Sequence, residues 1–137
     1  WLASEPGRRA TIAEIALSFG ISENHLVKVV HFLGKQGWIA TARGKGGGVS
    51  LALPAERIVL GQVVRRTEGA AMVAECFGDD GGGCAIGSCC RLRGALSEAV
   101  AAYEAVLDRY TLADMVANRQ ELARVLLRLP MRDHQPA

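Results

Sequence analysis

The chain has 137 residues and a net charge of +2, with half of its residues apolar and 22% charged. That is about the length of one domain, with enough apolar residues to bury a core, and no apolar run approaches the roughly 20 residues that a membrane-spanning helix needs. Nor does the start follow the basic, apolar, small-residue order of a secretory signal, so membrane, secreted and disordered classes are set aside and a cytoplasmic protein is expected.

The elements follow in chain order. Pro6-Gly7 marks a turn. Thr11-Ile12-Ala13-Glu14 has capping-box spacing and opens a helix that buries Ile12, Ile15 and Ala16 and ends at Gly20. Ser22 caps a second helix, with Leu26, Val29, Val30 and Leu33 at the 3.6-residue period and Gly37 as its stop. Two short helices joined by a Gly-containing turn form a helix-turn-helix. Residues 38–42 and 49–53 read as two strands around Gly44-Lys45-Gly46-Gly47-Gly48, a flexible hairpin tip. Pro54 closes this winged-helix pattern, and 58–68 reads as a further helix. After a Gly- and Cys-rich stretch comes a long helix over 92–109. Its apolar stripe is Leu92, Leu96, Ala99, Tyr103, Val106 and Tyr110, while Glu98, Glu104 and Asp108 read as a solvated face. Thr111 caps a last helix with Leu112, Met115, Val116, Leu122, Val125 and Leu126 inward, Pro130 stops it, and 131–137 form a polar, loose tail. The fold class expected is mainly α with a small β-hairpin: a winged helix-turn-helix plus a long dimerisation helix. It divides into a DNA-binding region over 1–68, a Cys-rich loop over 69–91 and a dimerising region over 92–137.

Charge is spread unevenly. Residues 1–50 hold six Lys/Arg against three Glu, a net of +3, and residues 51–137 hold ten against eleven acids, a net of −1. The second helix of a helix-turn-helix meets base edges with its N-terminal residues. Ser22, Asn24, His25, Lys28 and His31 are therefore the candidate DNA-reading residues: Asn24 can pair with adenine, and Lys28 can reach guanine or phosphate. At the hairpin tip Arg43 and Lys45 stand among glycines, which leaves room for backbone or minor-groove contact. The bland alternative is a solvated helix face beside a surface hairpin.

All four cysteines, Cys76, Cys84, Cys89 and Cys90, fall within one short stretch. In a chain without a secretory signal this reads as metal or redox chemistry and not as a disulfide framework. Seven residues separate Cys76 from Cys84 and five separate Cys84 from Cys90. Structural zinc sites favour paired C-x2-C spacing. The wider spacing suits an iron–sulfur cluster wrapped by a Gly-rich loop whose amides donate to sulfide. Adjacent Cys89 and Cys90 point in different directions, so three ligands are expected, not four. Zinc and unliganded thiols are the alternatives. Asp79 and Asp80, inside the first interval, read as solvated loop residues.

Four strings carry a resemblance: 21–30 (Ile-Ser-Glu-Asn-His-Leu-Val-Lys-Val-Val), 43–48 (Arg-Gly-Lys-Gly-Gly-Gly), 61–65 (Gly-Gln-Val-Val-Arg) and 111–114 (Thr-Leu-Ala-Asp). With them the chain resembles, over 11–68 and 76–114, the iron–sulfur winged-helix regulator family that includes IscR and NsrR. Glu75-Cys76-Phe77, Cys84 and Cys90-Arg91-Leu92-Arg93 are most similar to the nitric-oxide-sensing NsrR-type repressors. Arg93 stands where the IscR pattern has a His. The resemblance implies a homodimer on a palindromic operator in double-stranded DNA, with nitric oxide as signal. It also implies a cluster on Cys76, Cys84 and Cys90, [4Fe–4S] ahead of [2Fe–2S]. Cys89 is then a bystander, and no fourth ligand is named. Family members have a helix before the position of Trp1, so the chain is expected to lack part of that helix.

Rival readings are a regulator of the same fold that senses iron–sulfur status or oxidative stress, and an iron–sulfur electron-transfer or cluster-carrier protein, which has no need of a winged helix. Without a Ser-His-Asp grouping, a phosphate loop or a paired-carboxylate cleft, an enzyme is not expected.

Overall fold

A computed structural model describes residues 1–69, 73–78 and 83–127. Asp79, Asp80, the helix stop at Pro130 and the tail 131–137 lie outside the described residues. The chain forms two compact units, Trp1–Arg57 with the segment from Leu112 onward, and Ile58–Thr111.

The first unit is the winged helix. Helix α1 spans Ile12–Phe19 and α2 spans Glu23–Lys35. At the start of α1, Thr11 Oγ1 accepts from the Glu14 amide at 3.1 Å and Glu14 Oε2 accepts from the Thr11 amide at 2.7 Å, closing the capping box read from the sequence. Gly20 takes the left-handed conformation that ends α1. Ser22 begins α2, its hydroxyl accepting from the His25 amide at 3.2 Å. Strands β1 (Ile39–Ala42) and β2 (Gly48–Leu51) pair antiparallel with Thr41 opposite Val49. Ala10 joins them as a third edge, with amide–carbonyl bonds to Val49 of 3.0 and 2.7 Å in both directions. The sequence reading missed this bridge, because a single paired residue carries no alternation.

Ala10, Ile15, Ala16, Leu26, Val30, Ile39 and Val49 form the core, with Ile12, Val29, Leu33 and Leu51 packed around it. Residues 1–10, which have no regular pattern, are nonetheless tied down: Trp1 Nε1 donates to Ser18 Oγ at 3.0 Å, and the Arg8 guanidinium lies 4.9 Å from the Trp1 ring centroid. A 3₁₀ turn, Ala55–Arg57, packs against the returning helix α5 (Leu112–Met115).

The single C-terminal helix expected from Thr111 is two helices. α5 ends in tight three-residue bonds from the Val116 and Ala117 amides to Ala113 and Asp114, and α6 restarts over Arg119–Leu126. Asn118 causes the break. It takes a non-helical conformation at the N-cap, and its side-chain amide donates to Glu121 at 3.4 Å. Val116 is the buried residue of the expected inner face, whereas Met115 and Val125 are exposed.

In the second unit, α3 spans Leu60–Glu68 and α4 spans Arg91–Leu107. They pack together, and the Val59–Thr111 bridge and a 2.9 Å bond from the Leu60 amide to the Tyr110 carbonyl tie their ends. α4 buries no residue fully, and apart from Leu96 the expected apolar stripe is exposed within the protomer. Leu96, Val100, Glu104 and Leu107 are the half-covered positions, whereas Leu92, Tyr103 and Val106 are 64%, 51% and 42% exposed. Asp108 also departs from expectation: it caps α4 and pairs with Arg65 at 2.7 Å instead of lying free on a solvated face. Among the described residues no helix is long and apolar enough to cross a membrane.

Candidate functional site

The DNA-facing candidates on α2 are all exposed. Asn24, Lys28 and His31 recur at helical spacing and so share one face, while His25 lies one step to the side. Ser22 is also exposed, but its oxygen is occupied as the N-cap acceptor, which leaves its hydroxyl proton for an outside acceptor. Glu23 in the first turn complements the helix dipole.

The hairpin tip is built, not slack. The Gly47 amide donates to the Gly44 carbonyl at 2.9 Å, and Gly44 and Gly46 both have positive φ, which only glycine adopts cheaply. At Gly48 a Cβ would lie 2.7 Å from the Ala10 carbonyl oxygen, so the third edge of the wing requires glycine there. Arg43 and Lys45 project from this tip, exposed. The structure brings Arg43 and His31 to one concavity, together with Gly34, Lys35 and Thr41, whereas Asn24, Lys28 and Lys45 lie outside it. Lys35 and Thr41 escaped the sequence reading, although 24-28-31-35 is a helical series and 39-41-43 a strand alternation that could have found them.

Within this unit the carboxylate of Glu14 is shifted by its capping contacts. The Thr11 amide chiefly holds it below the usual range against a smaller opposing effect of burial, and the Thr11 hydroxyl and the Arg8 guanidinium, 2.9 Å away, add to the lowering.

The four thiols belong to the other unit, and none is in a disulfide. Cys76 lies in a 3₁₀ turn, Glu75–Phe77, and is half-buried. Cys84 is exposed, its carbonyl accepting from Gly87 at 3.0 Å. Cys89 is exposed, with its sulfur 3.5 Å from the Ile86 carbonyl oxygen. Cys90, half-buried, is the N-cap residue of α4, and its side chain makes no capping hydrogen bond. Among the described residues no three His, Cys, Asp or Glu side chains converge on a metal position. The donor chemistry nevertheless fits an iron–sulfur group: free, soft thiols on a Gly-rich segment, the last of them at a helix N-terminus whose dipole favours negative charge.

With this geometry in hand, comparison with known proteins gives consistent matches. The Rrf2 family, described as an iron-dependent transcriptional regulator, matches residues 1–118. The HTH-type transcriptional regulator NsrR of Bacillus subtilis is 44% identical over 124 residues, covering 90% of this chain and 85% of the relative. The protein of the same name from Geobacillus kaustophilus is 46% identical over 124 residues, covering 90% and 84%. Among solved structures, IscR of T. potens superposes with a TM-score of 0.68 at 27% identity, covering 88% of this chain and 79% of that one. CymR, the global cysteine regulator of B. subtilis, gives 0.68 at 26% identity, covering 85% of each. These relatives are regulators, not enzymes. The winged helix, its exposed α2 face and these matches together place the chain in the Rrf2 family of iron-dependent transcriptional regulators, as a DNA-binding protein.

Proposed function

We propose that the chain is a homodimeric repressor that binds a palindromic operator and releases it in response to nitric oxide, through an iron–sulfur cluster held by Cys76, Cys84 and Cys90. The observation that carries this reading is the position of Cys90. It ends the cysteine-bearing segment and is also the N-cap of α4, so a change in what its sulfur holds acts directly on the first turn of that helix. The NsrR name of relatives 41–46% identical over most of the chain favours nitric oxide as the signal over iron–sulfur status or oxidative stress. The carrier reading leaves the winged helix without a use.

When bound, the cluster supplies iron that nitric oxide attacks. The residues supply the rest. Cys76 and Cys90 hold the two ends of the segment and Cys84 its middle, with [4Fe–4S] preferred to [2Fe–2S] and Cys89 outside the ligand set. The exposed stripe of α4 meets its copy in a partner protomer. Two α2 helices reading successive major grooves must lie about 34 Å apart, and the α4 pair sets that spacing. Nitric oxide shifts the equilibrium only as far as the reacted segment disfavours the DNA-bound arrangement. Residues 1–68 thus read DNA, 69–91 sense and 92–137 dimerise, in a cytoplasmic protein.

The test is a comparison of anaerobically purified holo-protein with cluster-free protein on operator fragments selected from genomic DNA. Footprints over a palindrome with the holo-protein alone support the proposal. Equal footprints with both forms would refute cluster control, and stable redox cycling without change in binding would favour the carrier.

A further inference from the structure

We propose that the concavity between the C-terminal half of α2 and the end of β1 seats one DNA backbone phosphate, held jointly by Lys35 and Arg43 with the Thr41 hydroxyl as a further donor. This deepens the assignment of α2 as the DNA-facing helix and rests on it.

His31, Gly34 and Lys35 from α2 and Thr41 and Arg43 from the hairpin line the polar side of one hollow, whose other side is the apolar Ile12, Val27, Val30 and Ile39. Lys35 follows Asn24, Lys28 and His31 along one helix face, so a strand of DNA tracked by that face runs into the hollow. Thr41 and Arg43 alternate along the strand direction and share a side. No carboxylate lines the hollow. The ion pairs Arg8–Glu14 and Arg65–Asp108 involve neither Lys35 nor Arg43. Two cations therefore line one space with no carboxylate beside them, and Lys35 meets only the partial negative charge of the α2 C-terminus.

Gly34 points the same way. A Cβ built there meets nothing nearer than the Ile39 carbonyl oxygen at 4.0 Å, so packing does not require glycine, and its φ is not in the left-handed region. Glycine within a helix costs roughly 0.5–1 kcal/mol against alanine. What it provides here is a bare floor on which a sugar-phosphate can lie. A phosphate held from both α2 and the wing fixes the two reading elements on the same strand, which sets register without reading sequence.

The test measures binding of the holo-protein to a duplex selected from a random-sequence pool and to a scrambled duplex, as a function of salt. If Lys35 and Arg43 share one phosphate, Lys35→Gln/Arg43→Gln together reduce the slope of log K against log salt by about 0.9, equivalent to a loss of about fivefold at 0.15 M salt. Each single variant changes the slope by less than half as much, because the other cation stays on the phosphate. Both duplexes weaken by the same factor. Gly34→Leu, which keeps every charge and adds a helix-forming side chain in open space, produces the same slope reduction with an unchanged circular dichroism spectrum. Slopes that fall by about 0.9 for each single and about 1.8 for the double variant would assign two separate phosphates and overturn the shared seat. An unchanged slope in the double variant, or wild-type behaviour of Gly34→Leu, would also overturn it. Equal wild-type affinity for the two duplexes would overturn the reading of α2 itself, a result distinct from failure of the seat alone.

Discussion

Arg65 of α3 grips Asp108 at the end of α4 with two parallel hydrogen bonds, Nη1 to Oδ2 at 3.2 Å and Nη2 to Oδ1 at 2.7 Å. Donating these hydrogen bonds to Asp108 holds the guanidinium above its ordinary range. Both side chains are well exposed, so the contact fixes geometry more than it adds stability. With the Leu60–Tyr110 bond it joins α3 to the end of α4 at two points. Gly61 makes the fit possible, since a Cβ there would collide with the Asp108 carboxylate.

Gly61→Ala is therefore expected to push the Asp108 carboxylate off Arg65; because that pair is exposed the loss is about 1 kcal/mol at most, partly offset by the better helix propensity of alanine. Adding Asp108→Ala removes the atoms the new methyl would strike and so costs little further. Urea denaturation of the two singles and the double gives the coupling. Additive losses would show that Gly61 and Asp108 do not constrain each other.

The capping box makes the winged helix sensitive to acid. Glu14 has a lower pKa folded than unfolded, so the stability it contributes is present above the ordinary glutamate range and lost as pH falls through the folded value. Glu14→Gln should flatten the decline of stability below about pH 4.3, and Thr11→Ala should cost about 1 kcal/mol at neutral pH. Denaturation midpoints at a series of pH values check both. An identical acid profile in Glu14→Gln would place the sensitivity elsewhere.

Tyr103→Glu on α4 should give a monomer that keeps wild-type helix content, because the side chain is already 51% exposed within the protomer. Sedimentation equilibrium with circular dichroism separates the outcomes. A dimer that survives the buried charge would move the interface off this face.

Cys84→Ala and Cys90→Ala should each abolish the visible absorption of anaerobically reconstituted protein, and Cys89→Ala should leave it intact. Equal loss with Cys89→Ala would show that the sulfur next to Cys90 is a ligand.

The winged helix was legible because its signals are local. Thr11 with Glu14, Gly20, Ser22 and the period of Leu26, Val29, Val30 and Leu33 each satisfy a backbone or packing requirement within a few residues. Two things were not legible. The Ala10–Val49 bridge depends on a long-range pairing that shows in sequence only as a glycine at 48. The inner face of α4 could not be told from its outer one, since apolar residues occupy both and only the packing of α3 decides between them. Asn118 did carry a signal: Asn-x-x-Glu is a helix start, hidden inside an apolar pattern that runs across it. For the side chains proposed to face DNA, the helical series beyond His31 leads to Lys35, but its sharing of a hollow with Arg43 required the hairpin to be folded against α2.

The most direct measurement is a stepwise titration of the anaerobic holo-protein with nitric oxide, following operator affinity and cluster absorption in the same samples. Operator affinity should fall to that of cluster-free protein in step with the loss of absorption. Full affinity retained after the absorption has gone would contradict control of DNA binding by the cysteine-held group.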